Sequence, residues 1–243
     1  MDVEVADGIR RLSRGVVNFY LIEEGGRFTL VDAGTPRDWD LLDHALSRRG
    51  HALTDLEAVL LTHAHSDHTG FAERARTHAR ATVWVHSADR AVAKGAKPPR
   101  NEAGVGRYLL RVEGYRTLIS LSRRGGAKIV PILEVSTFED GRSLDLPGRP
   151  RIVYAPGHTA GTCAVASGDV VMTGDALITR NPLTGRRGPQ VMPSALNVDT
   201  AQALSSLSAI EALSAATLLP GHGEPWSGGT EDAVRAARAA GRS

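Results

Sequence analysis

The 243-residue sequence contains one cysteine, Cys163, so it can form no internal disulfide and no secreted disulfide framework. Nowhere does an apolar run approach the roughly 18 residues that a membrane helix requires. Neither sign of charge dominates: 29 Lys and Arg stand against 27 Asp and Glu, a net +2. That balance gives little support for general attraction to nucleic acid. The opening Met1-Asp2-Val3-Glu4 is acidic where a signal peptide is basic and then greasy. Heptads, low-complexity tracts and a Gly-x-Ser-x-Gly nucleophile elbow are all missing. These absences lead to the expectation of a cytoplasmic protein with neither a membrane nor a nucleic acid as partner.

Apolar residues make up 42% of the chain and charged residues 23%, which suits a packed single domain over 1–243. The β-prone runs 16–23 and 27–31 flank Glu24-Gly25-Gly26, a hairpin signal. A helix is expected over 38–48, a buried strand over 58–61, a helix over 71–78 and another strand over 82–85. From about 91 to 125 strand signals stop. There Val105, Tyr108, Leu109, Val112, Tyr115 and Ile119 recur at helical spacing, which reads as a helical insertion. Strands are expected again over 128–135, 143–146, 151–154, 163–167, 170–173 and 217–219, with a long loop over 179–193. Asp199 followed by Gln202 opens a helix to about 213, and 231–240 reads as a last helix. Hairpins mixed with helices favour sheets covered by outer helices over a purely parallel sheet.

The segment His63-Ala64-His65-Ser66-Asp67-His68 concentrates three of the nine histidines directly after an apolar strand. In an extended chain His63 and His65 project to one side, and imidazole with carboxylate suits zinc and related divalent ions. Three more segments set a ligand type beside glycine after an apolar strand: Gly157-His158, Gly174-Asp175 and Gly221-His222. Glycine lets backbone approach closely where a Cβ would obstruct. Any one of these pairs is weak evidence, but their joint occurrence is not.

With this ordered set of motifs, from Asp32-Ala33-Gly34 to Leu219-Pro220-Gly221-His222-Gly223, the sequence resembles the metallo-β-lactamase superfamily. The resemblance implies a four-layer αβ/βα sandwich with the 91–125 insertion. It implies two divalent ions, zinc before iron or manganese. His63, His65 and His158 would hold one, Asp67, His68 and His222 the other, with Asp175 bridging and Asp32 orienting a ligand from behind. The implied activity is hydrolysis of a small acyl compound, a thioester or a lactone, by a hydroxide generated at the ions, with Asp67 and Asp175 as the catalytic carboxylates.

Departures from individual branches narrow the choice. The commonest zinc β-lactamases place cysteine at the position of Asp175 and lack an aspartate like Asp67, so antibiotic hydrolysis is not expected. Glyoxalase II shares the ligand set but adds a helical region, whereas 21 residues follow His222 (243 minus 222). Lactonases place a tyrosine shortly after the bridging aspartate. None lies between Asp175 and Thr200, leaving Tyr108 and Tyr115 of the insertion as substitutes. Arg180, Arg186 and Arg187 are candidates to meet an anionic group on the substrate. The alternatives are an RNA-processing phosphodiesterase, disfavoured by the small net charge, and a non-catalytic binding descendant, disfavoured by seven filled ligand positions.

Overall fold

A computed structural model describes residues 1–108 and 110–242, with Arg107 described by its backbone alone. Leu109, part of the expected helical stripe, and Ser243, the end of the expected domain, lie outside the described residues. Seven strands form the first sheet, in chain order: β1 (Asp2–Ala6), β2 (Ile9–Arg14), β3 (Val17–Glu24), β4 (Arg27–Val31), β5 (Leu56–Leu60), β6 (Thr82–His86) and β7 (Ser136–Phe138). β1 to β4 are antiparallel neighbours, and β4 to β7 run parallel. The second sheet contains β8 (Arg151–Tyr154), β9 (Cys163–Ser167), β10 (Val170–Gly174) and, beyond the small pair β11 (Ile178–Arg180) and β12 (Arg187–Gln190), β13 (Thr217–Pro220). Its order is β13-β10-β9-β8, with β13 parallel to β10.

Three apolar interfaces stack these layers. Helix α1 (Trp39–Ser47) and the short α2 (Ala72–Arg74), which continues into a wider turn over Ala75–Ala79, cover the first sheet. Trp39, Leu42 and Leu46 of α1 pack there with Phe19, Leu30, Phe71 and Val83. Between the sheets, Tyr20, Val31 and Leu60 meet Ile152, Cys163, Met172 and Leu219. Behind the second sheet, α5 (Thr200–Glu211) and α6 (Gly229–Ala240) bury Leu207, Ile210 and Val234 against Val153, Val171 and Leu218. Helix, sheet, sheet, helix is the metallo-β-lactamase fold. Each fully buried Leu, Ile or Val in these interfaces contributes about 1.5–3 kcal/mol over its exposed state. Asp199 caps α5 by accepting from the Gln202 N–H at 2.9 Å, closing one of the helix's open donors.

Several expectations need correction. Residues 128–135 form no strand, because Pro131 removes a ladder donor in mid-run; the pairing moves to β7. The 143–146 run makes a single bridge, Ser143 to Arg151. The expected loop over 179–193 contains β11 and β12, turned back by Asn181, whose Oδ1 accepts from the Leu183 and Thr184 N–H groups. β1 and β2 were not expected at all, since their alternate positions are polar and held by ion pairs such as Arg10 to Asp2 and Glu4. The insertion holds α3 (Arg90–Ala93), an irregular stretch, a single turn at Gly106–Tyr108 and α4 (Val112–Arg123).

Candidate metal centre

Every ligand candidate sits just past the C-terminal end of a strand, and those ends meet at one edge of the sandwich. Asp32 follows β4, the 63–68 segment follows β5, His158 follows β8, Asp175 follows β10 and His222 follows β13. Backbone bonds across the sheets hold the edge together. The Cys163 N–H donates to the Thr62 carbonyl at 2.9 Å, and the Asn18 N–H to the Gly221 carbonyl at 2.9 Å. The Tyr20 hydroxyl donates to the Pro220 carbonyl at 2.7 Å. Gly221 is required where it stands, because a Cβ there would lie 2.5 Å from Asp175 Oδ1 and 2.8 Å from His68 Cε1.

The structure brings seven donor residues into one cluster. His63, His65 and His158 present nitrogens within 4.8 Å of one another, as do the donors of Asp67, His68 and His222, and those of His63, His68 and Asp175. Asp175 Oδ2 lies 3.3 Å from His158 Nε2, 3.4 Å from His222 Nε2 and 3.7 Å from His63 Nε2, while its Oδ1 is 3.5 Å from His68 Nε2. Asp67 Oδ2 is 3.6 Å from His222 Nε2 and 4.0 Å from His68 Nε2.

The outer faces of the rings fix what the inner faces offer. His68 Nδ1 is 2.8 Å from Asp32 Oδ2, and His222 Nδ1 is 2.6 Å from the Val16 carbonyl. His158 Nδ1 is 3.1 Å from Asn197 Oδ1, whose own amide donates to the Met192 carbonyl, which fixes which end is oxygen. These oxygens only accept, so each Nδ1 carries a proton and each Nε2 is the ring nitrogen turned inward. Buried His68 Nε2 and Asp175 Oδ1 have no hydrogen-bond partner among the described residues. His158 Nε2 and His63 Nε2 face each other at 3.2 Å. Orphaned buried donors converging in this way fit a divalent cation and little else.

The electrostatics divides the cluster: one group of rings is held neutral, while the other holds its protons against Asp175 until a cation replaces them. Burial pushes His158 down to about 3, and burial with the neighbouring His68 holds His63 well below its usual range. Burial also lowers His65. For Asp175 burial acts upward, but His222 and His68 outweigh it and hold the carboxyl well below its usual range. Burial acts downward on His68 and His222, and Asp175 with neighbouring carboxylates outweighs it and raises both.

Behind the ligands stand Asp32, as the resemblance implies, and two residues that spacing did not announce, Asp89 and Asn197. Asp32 adopts a positive φ of 64° and also accepts from the Thr62 N–H at 2.8 Å. Buried Asp89 ties two ligand loops: Oδ2 accepts from the Ala64 N–H at 2.9 Å and the Thr159 hydroxyl at 2.7 Å, and Oδ1 from the Gly161 N–H at 2.8 Å. Ala64 lies between His63 and His65, and Thr159 follows His158. Asn197 is the third such residue.

The cluster opens into a cavity of about 600 Å³ whose walls include Val105, Tyr108, Leu118, Leu121, Ile129 and Met192. None of the three candidate arginines lines this cavity. Arg180 pairs with Glu113 at 3.1 Å, and with Arg187 it lines a separate groove; Arg186 is exposed at the turn of the β11–β12 hairpin. The cations that do line the cavity are Lys97 and Lys128. Tyr108 lines it as well, whereas Tyr115 does not and is 57% exposed.

Comparison with known proteins bears on the family and the fold. The probable metallo-hydrolase YflN of Bacillus subtilis is 27% identical over 238 residues, covering 93% of this chain and 87% of that one. The metallo-beta-lactamase family protein TTHA1429 from Thermus thermophilus superposes with a TM-score of 0.69 over 98% of this chain and 79% of its own, at 22% identity. BJP-1, a subclass B3 metallo-beta-lactamase of Bradyrhizobium japonicum, gives 0.64 over 91% and 77%, at 17% identity. At those identities the two structures speak for the fold alone. The sequence profile of the metallo-beta-lactamase superfamily matches residues 12–222, nearly the whole length. By that match the chain belongs to the metallo-beta-lactamase superfamily.

Proposed function

We propose that the protein is a dinuclear metal-dependent hydrolase acting on a small acyl compound, a thioester or a lactone, with an apolar acyl part. One observation carries this reading: seven convergent donors open into a cavity walled chiefly by aliphatic side chains. The similarity to YflN, a probable metallo-hydrolase, supports the class of reaction.

In this reading His63, His65 and His158 would hold one ion and Asp67, His68 and His222 the second, with Asp175 reaching both groups of donors. Zinc is the first choice for such nitrogen and oxygen donors, with iron or manganese next. When bound, divalent ions supply Lewis acidity toward a carbonyl and acidify water near neutral pH. The chain's own residues do the rest. Asp32, Asn197 and the Val16 carbonyl hold three rings with Nε2 inward, so ligand geometry is set before substrate arrives. Asp67, the more exposed of the two clustered carboxylates, lines the cavity with Oδ2 turned toward His222, which leaves its other oxygen to relay a proton between the site and solvent. Leu118, Leu121, Ile129 and Met192 exclude water from the acyl part, and Lys97 and Lys128 meet an anionic group if the substrate has one.

A panel of thioesters and lactones graded by acyl length, with an activated phosphodiester alongside, tests the proposal. Turnover that rises with acyl length until the cavity is filled, and that Asp175→Ala abolishes, is the expected result. Preferential cleavage of the phosphodiester would replace this reading with the nuclease alternative.

A further inference from the structure

Apart from buried Tyr108, much of the insertion's apolar surface does not face the core. Val112 is 64% exposed and Tyr115 57%, Leu118 is 48% exposed, and Leu110 just before the helix is 92% exposed. The inner side of α4 carries Gly114, Thr117 and Leu121 instead. Gly114 sits so close to the chain that a Cβ would fall 2.4 Å from the Tyr108 carbonyl. A soluble domain seldom leaves a cluster of large apolar side chains in water without a use for it.

Charge on the same segment is as uneven. From Arg90 to Lys128 there are ten Lys or Arg against two Asp or Glu, a net +8; the whole chain is +2, so the remainder carries −6. Arg100, Arg111, Arg123 and Lys128 are exposed, and Arg116 shares Glu113 at 3.3 Å. The near-neutral total conceals a basic segment with exposed aliphatic and tyrosyl side chains among its cations, although Arg124 is buried beside Asp38 and adds nothing to the surface.

We infer that this face of the insertion docks onto an anionic lipid bilayer surface. Basic side chains flanking a helix with exposed Leu, Val and Tyr match a surface that is negative outside and apolar just beneath. A second copy of the chain is a poor occupant, because a two-fold contact through α4 would set the exposed Arg111, Arg116 and Arg123 against their own copies. An acidic polymer would use the cations and leave Leu110 and Val112 in water. Val105, Leu118, Lys97 and Lys128 are both exposed and part of the cavity wall, so docking brings the rim of the candidate active site to the lipid.

Co-sedimentation of the full chain with vesicles of equal parts phosphatidylglycerol and phosphatidylcholine, and with phosphatidylcholine alone, tests the inference. Binding is expected to the anionic vesicles, weakening as salt rises. Leu110→Asp combined with Val112→Asp is expected to lower that affinity by about tenfold or more. Both side chains are exposed, and an unchanged urea midpoint verifies folding; a milder Leu110→Ala, Val112→Ala pair gives an intermediate loss. Failure to bind anionic vesicles overturns the inference. So does binding that the apolar substitutions leave intact and that RNA displaces, or a dimer that the same substitutions dissociate. Asp175→Ala protein should bind vesicles as the parent does, so a failure of the hydrolase proposal leaves this outcome readable.

Discussion

Replacing Asp89 with asparagine is the sharpest test of how the centre is held. The carboxylate is buried and accepts three hydrogen bonds, from the Ala64 N–H, the Thr159 hydroxyl and the Gly161 N–H. Asparagine keeps the size but has one acceptor oxygen. If its NH₂ takes the Oδ1 place it faces the Gly161 N–H; in the Oδ2 place it faces the Ala64 N–H. Either way a buried backbone donor loses its acceptor and meets another donor. An orphaned buried N–H costs about 1–3 kcal/mol, and the remaining bonds lose their charge-assisted character. The sum is about 2–4 kcal/mol, a large share of the roughly 5–15 kcal/mol that stabilises a domain. Because the loosened loops carry His63, His65 and His158, affinity for the ion at those three should also fall by about tenfold or more. Urea unfolding of the metal-free chain reads the first quantity, and chelator competition under native conditions reads the second. If Asp89→Asn left both the unfolding midpoint and the metal affinity at parental values, the clamp would play no part and the reasoning would be wrong.

Asp32→Asn should weaken metal binding by about 10–100-fold, because the proton on His68 Nδ1 would lose its carboxylate acceptor; isothermal titration with zinc measures this, and an unchanged affinity would exclude an orienting role. Gly221→Ala should reduce metal content sharply while retaining secondary structure, since the new methyl would contact Asp175 and His68; full occupancy by elemental analysis would contradict it. Stripping metal with a chelator should lower the melting temperature by about 10 °C if ions are present at about a thousand times their Kd, worth roughly 4 kcal/mol. Calorimetry with and without zinc checks that, and coincident curves would count against a structural contribution from the centre.

The ligands were legible because each one ends an apolar run and stands beside glycine or in the dense 63–68 segment. Those features are local and survive in a string of letters. Asp89, Asn197 and Thr62 act through contacts with residues 25 or more positions away or with backbone groups, so no spacing marks them. Lys97 and Lys128 became cavity residues only once the insertion folded over the site. Periodicity in 105–119 correctly indicated helix over the part beginning at Val112, but a 3.6-residue stripe records that one side is apolar and not which side is buried. β1, at the sheet edge, and β2 beside it escaped for a related reason: charged side chains at their alternate positions do not read as β-prone.

His222 is held by the Val16 carbonyl, and Cys163 is stitched to Thr62, so the two halves of the sandwich each own part of the pocket and neither owns all of it. The complete centre therefore exists only once both sheets have come together. A partly folded chain, with the sheets still apart, offers only scattered imidazoles and must compete for metal like any peptide. The same division couples the deep interior to reactivity: trimming Met172 or Ile152, which pack between the sheets and hold no ion themselves, would let the sheets settle closer and shift one set of donors against the other.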